Sequence, residues 1–470
     1  MTVTSAAQVE AFRASHRWIL LSLHLLPAAV LFLNAVTGVV SKAPLTIPMI
    51  IAATLFIVPL WMKSFRSPQV QRVIIALLVS VLISSFMSHG IRSAVFNIYY
   101  ASSFLFLGFY VIFARTPLFD YYRYMRAVII AMSAVSVLAI LHYFLVFLGS
   151  AAMYQDIRYS FFFDDKSHFS VYLGFFMFCL SNYVRVTVVR ADNAQWTWKK
   201  RAAFSLFALT IMGVALFVST TTLSRLGVLF FPLILFILYY LLRLNFQARI
   251  SPGGSRLLAI NLLILVSSFA VFLAWATGAF DEIDNSFFNR VAKLSKLMED
   301  DSFASHVMLI RLAIEAKVHT VFNMIFGVGL GNFQYSLIES GGFVHIAKYK
   351  SLLGEFYVGY MPTHSVWASI FVETSFVVSL IVMVVILYYF MLGFALRAFD
   401  APIFIGGLFI SSMFYSTVNE AFYIIIWATI IVTLEQVRYH RTVVARKVAL
   451  ASEQPDSGSD KLASRVSAAQ

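Results

Sequence analysis

The feature that most constrains this chain is the recurrence of apolar runs long enough to cross a lipid bilayer. About 20 consecutive apolar residues span the hydrocarbon as a helix. Candidate runs lie at 18–40, 45–62, 70–87, 94–113, 127–149, 167–184, 202–218, 226–242, 257–280, 365–394, 402–416 and 421–435. Backbone polar groups in lipid must be satisfied within the protein, and none of these runs has the alternating pattern of a membrane barrel. The expected fold is therefore all-α: a polytopic membrane helix bundle of about 12 transmembrane helices. Composition agrees, since 60% of the 470 residues are hydrophobic and only 12% are charged. A soluble domain that apolar could not cover its surface with polar groups. Arg13 and Arg17 precede a first run that starts at Trp18. That run is long and lacks a small-residue cleavage site, so it reads as a retained helix.

One interval breaks the pattern. Residues 281–362 hold acids, bases, glycines and aromatics, with no run able to cross a bilayer. The chain thus divides into helices 1–9 (1–280), a long loop (281–363), helices 10–12 (364–440) and a polar, disordered tail (441–470). Within the loop, 287–298 has apolar residues at helical spacing with Arg290, Lys293 and Lys296 between them, the pattern of an amphipathic helix lying on the membrane or the bundle. Asp300-Asp301-Ser302 would cap a second helix over 303–319, which carries Arg311. A glycine-dense turn follows, Phe326-Gly327-Val328-Gly329-Leu330-Gly331-Asn332-Phe333. Met361-Pro362-Thr363-His364 then opens the tenth run.

The charges orient the bundle. If the N-terminus is cytoplasmic, 23 of the 35 basic residues fall on the cytoplasmic side, and the short outer connections hold only Lys42, Arg92, Arg158, Lys166 and Arg225. The other seven lie in the long loop. The positive-inside rule then places both termini inside and the loop outside. It also accounts for the net charge of +13 without nucleic acid. Cys179 is the single cysteine, which excludes intramolecular disulfides and cysteine-based metal clusters.

Several residues carry potential chemistry. Arg225, in Leu223-Ser224-Arg225-Leu226-Gly227, is a lone arginine at an outer helix mouth. It is either an interfacial snorkelling side chain or an anion clamp, because a guanidinium gives phosphate two hydrogen bonds. Arg311 is flanked by Ile310 and Leu312; a solvated helix face is one reading and a partly buried groove the other. His364 at a helix start is placed to stay neutral and accept a proton, against the plainer reading of a structural histidine. The turn at Gly327, Gly329 and Gly331 has neither the strand–helix setting of a dinucleotide fold nor the lysine of a P-loop, so it reads as a place of close backbone approach. Asp164 and Asp165 could hold a divalent metal, but a helix-start cap is the stronger reading. Glu373 is a carboxylate inside an apolar run and so a site candidate, whereas His24, Asn34, His142 and Asn182 read as helix–helix glue.

Taken in order, Ser224-Arg225-x-Gly227, the Arg311 helix, the glycine turn and His364 with Glu373 nine residues on resemble the O-antigen ligase and O-antigen polymerase family of bacterial inner membranes. The resemblance covers the topology of most of the chain and is most specific between Ser224 and Glu373. It departs at Ser365, where the family often has Asn, and at Ser375, where it often has Gly.

The resemblance implies transfer of a glycan from a polyprenyl-diphosphate carrier to a sugar hydroxyl on the periplasmic face. It implies inversion at the anomeric carbon without metal or cofactor. Arg225 and Arg311 would bind the diphosphate and His364 would be the catalytic base. Arg158, Glu373, Gly329 and Gly331 would support the site. Expected partners are the lipid-linked glycan donor, a glycan or glycolipid acceptor, membrane lipids and other polysaccharide-assembly proteins, with no nucleic acid.

Two other classes fit less well. A flippase or transporter of lipid-linked oligosaccharide would need ionisable residues at mid-membrane in both halves, and no inverted repeat is evident. A metal-dependent glycosyltransferase would place acids in its first outer loop, and Ser41 to Pro44 has none.

Overall fold

A computed structural model of the chain describes residues 17–36, 106–108, 110–147, 166–221, 229–246, 301–329, 331–347, 365–413 and 421–452, with the single positions 14, 79, 103 and 363. Among these residues the protein is helical and has no strand. The helices are α1 (Arg17–Val36), α2 (Tyr121–His142, continuing as a π turn Tyr143–Phe147), α3 (Lys166–Asn193), α4 (Trp198–Thr221) and α5 (Pro232–Phe246). The loop region contributes α6 (Asp301–Val318), α7 (Val321–Phe326), α8 (Phe333–Glu339) and α9 (Phe343–Ile346). Then come α10 (Val366–Glu373), α11 (Phe376–Ala395), α12 (Asp400–Ser412) and α13 (Ala421–Ser452).

Among the described residues four stretches are long and apolar enough to cross a membrane: Tyr121–Leu145, His168–Ala191, Trp198–Ser219 and Phe376–Ala395. Shorter apolar helices run over Leu20–Leu33, Pro232–Asn245 and Asp400–Ser412. The chain is a membrane protein by this measure. The expected runs 45–62 and 257–280, all of 70–87 but Val79, and the amphipathic segment 287–298 lie outside the described residues.

One expectation needs correction. The tenth run, 365–394, is not one helix. It breaks at Thr374-Ser375 into α10 and α11, and the Ser375 hydroxyl caps α11 by accepting from the Val378 N–H. The last described helix, α13, continues unbroken to Ser452.

The bundle has two distinct ends. At one, basic side chains tie neighbouring helices together. Arg115 makes a two-pronged bond to Glu435 on α13, both contacts 2.7 Å, and Tyr389 on α11 donates to the same carboxylate at 3.3 Å. Arg185 near the end of α3 meets the fully buried Asp400 that starts α12, at 3.4 Å, and Ser181 also donates to Asp400. Arg201 caps the end of α5 through Leu244 O, and Arg441 caps the end of α11 through Leu396 O. His24 acts as the glue expected of it. Its Nε2 accepts from the Asp120 N–H at 2.8 Å and so ties α1 to the start of α2.

At the other end, the Ser365 hydroxyl donates to Ser412 O, the Trp367 indole donates to Phe409 O at 3.0 Å, and Ser412 pairs with Tyr423. The start of α10, the end of α12 and the start of α13 therefore meet there. The loop helices dock at this end. Their small core consists of Leu309, Leu312, Ala313 and Ala316 from α6, Phe333 and Leu337 from α8, and Ile346 from α9. Ala368 and Val372 of α10 complete it.

Candidate functional site

The loop end is built around the break between α10 and α11. The residues Leu309, Leu312, Ala313 and Ala316 recur at helical spacing and turn one stripe of α6 onto α10. Lys317 falls on the same stripe and is 1% exposed. Its Nζ donates to Thr374 O at 2.7 Å and lies 5.6 Å from the Phe371 ring centre. Burial lowers this lysine from 10.5 to about 8.

The glycine turn closes against the same break. Val328 N–H donates to Val372 O at 2.9 Å. Gly327 has φ +84°, and a Cβ there would stand 2.5 Å from Thr374 O. Both facts demand glycine: only it adopts this φ without strain and lets the two backbones come this close. Gly329 and Gly331 also have positive φ, at 91° and 75°. The turn presents the N–H groups of Gly331 and Phe333 to the Glu373 carboxylate. Glu373 is buried, and desolvation raises it from 4.5 to about 7, with the two N–H bonds pulling the other way. Close backbone approach is thus what the turn achieves, and the partner it approaches is a helix break.

The proposed catalytic and supporting residues fare differently. Arg225, His364 and Arg158 lie outside the described residues, as do Asp164 and Asp165, which immediately precede the start of α3. The residues on either side of His364 are well held. Thr363 is buried, its hydroxyl donates to Ser365 O at 2.7 Å and pairs with the Ser369 hydroxyl, and Ser365 caps α10 by accepting from the Ala368 N–H. Gly331 and Glu373 are brought together directly, and Gly329 belongs to the same turn.

Arg311 does not face the partly buried groove that its apolar neighbours suggested. Its side chain is 75% exposed and pairs with Glu315 one turn on, at 2.8 Å. The reason is periodicity: residues 309, 312, 313 and 316 define the buried stripe, and 311 and 315 fall on the opposite side. Lys317 is the residue the sequence reading missed. A lysine in phase with the apolar stripe of its own helix was the available signal.

Among the described residues no group of three His, Cys, Asp or Glu side chains could hold a metal ion. No known protein family, no curated protein and no solved structure matches this chain.

Proposed function

We propose that this protein is a membrane glycosyltransferase of surface-polysaccharide assembly, in the bacterial inner membrane with both termini cytoplasmic and the loop periplasmic. It moves a glycan from a polyprenyl-diphosphate carrier to a sugar hydroxyl, and polymerase is favoured over ligase. The observation that carries this reading is the ordered set Arg225, Arg311, glycine turn, His364 and Glu373. Two of its members are also physically coupled, since the N–H groups of the glycine turn meet the Glu373 carboxylate. The orientation is supported by the separation of the two ends. Basic side chains cap helix termini at one, and the loop helices dock at the other.

In the proposed reaction His364 takes the proton of the acceptor hydroxyl. The oxygen attacks the anomeric carbon from the side opposite the diphosphate, the carbon–oxygen bond to the diphosphate breaks, and configuration inverts. Arg225 and Arg311 neutralise the charge on the departing diphosphate. Arg311 is accessible for this role, and its Glu315 partner is a surface ion pair that an incoming diphosphate displaces at little cost.

The test is complementation of a gene deletion with Arg225→Ala, Arg311→Ala and His364→Ala, followed by gels of surface polysaccharide. Each variant should remain in the membrane and lose long chains. Wild-type chain length in all three sinks the proposal. In the deletion strain, cores capped by a single repeat identify a polymerase, and lipid-linked polymer that never reaches the core identifies a ligase.

A further inference from the structure

The short helix α7 has the sequence Val-Phe-Asn-Met-Ile-Phe and not one buried residue. Val321 is 70% exposed, Phe322 50% and Ile325 48%, and Met324 is exposed beside them. Water is a poor environment for such a surface, at about 25 cal/mol for each Å² of apolar area left wet. The polar groups of α7 all turn toward the protein. Thr320 caps its first turn by accepting from the Asn323 N–H, the Asn323 amide donates back to Ala316 O on α6, and Gly327 N–H closes the last turn on Asn323 O. What faces outward is apolar.

The position of α7 says what covers that face. It contacts α11, and Gly327 at its end packs on the α10–α11 break. It therefore sits beside the first turn of a candidate membrane span. On that turn Phe376 and Val377 are each 56% exposed and Leu380 53%, the top of an apolar stripe that continues through Val384 and Leu387. The stripe faces lipid if α11 crosses the membrane, and α7, in contact with α11, places its own exposed apolar residues beside the start of that span.

We propose that α7 lies in the bilayer interface, with Val321, Phe322, Met324 and Ile325 among lipid acyl chains. It fixes the depth at which the loop core rides on the membrane. This assignment requires only that α11 spans the membrane and is independent of the glycan-transfer reading.

The test uses the full-length protein in vesicles of phosphatidylethanolamine and phosphatidylglycerol. Cys179 is buried, so nitroxide labels at Phe322→Cys, Ile325→Cys, Leu380→Cys and Glu339→Cys report one position each. Collision with oxygen and with a water-soluble nickel chelate gives the depth of each label. Phe322 and Ile325 should match Leu380, favouring oxygen, while the exposed Glu339 at the end of α8 favours the chelate. Labels at Phe322 and Ile325 that behave like Glu339 overturn the proposal. So do labels shielded from both reagents, which would mean protein covers the face. Shielding that arises only on adding a polyprenyl-diphosphate lipid would also overturn it, by making the face a substrate-tail groove. If Phe322→Cys fails to insert, Ile325→Cys on the same surface decides.

Discussion

The two ends of this bundle are held by opposite means. At the basic end, charged side chains bridge helices far apart in sequence, with Arg115 and Glu435 separated by 320 positions. At the loop end no described ion pair joins the loop helices to the bundle. The attachment there is a small apolar core shared with α10, a glycine turn against backbone, a buried lysine on a peptide carbonyl, and a carboxylate met by two N–H groups. The first arrangement resists sliding of whole helices. The second depends on shape and protonation, so it can be loosened locally. A loop that must admit a substrate from the membrane surface would be attached in the second way and anchored to a scaffold fixed in the first.

The sharpest way to break this comparison is Gly327→Val. The new side chain would meet Thr374 O and the Glu373 carbonyl carbon, both backbone, at a φ that valine does not adopt. The expected destabilisation of loop docking is on the order of 4 kcal/mol. Amide exchange across 301–347 should rise sharply while α2 to α5 keep their protection. Gly341→Ala is the control. It also has positive φ, at 75°, but faces open space, so it should cost only about 1 kcal/mol. Equal effects from the two would mean that close approach at Gly327 does not hold the loop.

The mirror experiment is Arg115→Ala. It leaves Glu435, 1% exposed, without its cation, and should lower global stability by about 3 kcal/mol in a thermal melt in detergent. Exchange in the loop helices should rise no more than elsewhere. A loss confined to the loop would contradict the division between the ends.

Protonation gives a smaller and more specific effect. Glu373 binds its proton more tightly in the docked state, about 7 against 4.5. Docking therefore weakens as pH rises through that window, and the cost is complete above it. Lys317 shifts the other way, about 8 against 10.5, so docking strengthens as pH rises from about 8 toward 10.5. Protection of the loop should be least between about pH 7 and 8. Glu373→Gln should abolish the falling limb and raise protection at pH 8 by on the order of 2 kcal/mol. Lys317→Met should remove the rising limb. A Gln variant whose loop protection falls with pH as steeply as the wild type would show that another group governs the docking.

How much of this was legible follows from distance along the chain. Apolar length alone marked the long helices of the bundle among the described residues, because crossing or filling a bundle requires it. The helix start beside His364 and the loop helix expected over 303–319, found at Asp301–Val318, were readable for the same local reason. The break at Thr374-Ser375 was not, since two small polar residues in an apolar run look like ordinary helix. Nor was the bond from Gly331 and Phe333 to Glu373, which joins segments 40 residues and more apart with no local trace. Arg311 is the instructive case. Its immediate neighbours pointed inward, but the stripe 309, 312, 313 and 316 pointed it outward, and the period outranks the neighbours.

That residue supplies the smallest structural effect and the clearest separation of structure from function. Arg311→Ala removes an exposed pair within one helix and should change stability by less than about 0.5 kcal/mol. Exchange across α6 should be unchanged. If Arg311 binds diphosphate, long-chain polysaccharide is nonetheless lost, and Arg311→Lys restores it only in part, because an ammonium cannot reproduce the two parallel bonds of a guanidinium. Glu315→Ala frees the guanidinium without removing it and should leave chain length intact. Loss of polymer in Glu315→Ala equal to that in Arg311→Ala would assign the pair to holding α6 in shape, and the diphosphate would then rest on Arg225 and other donors.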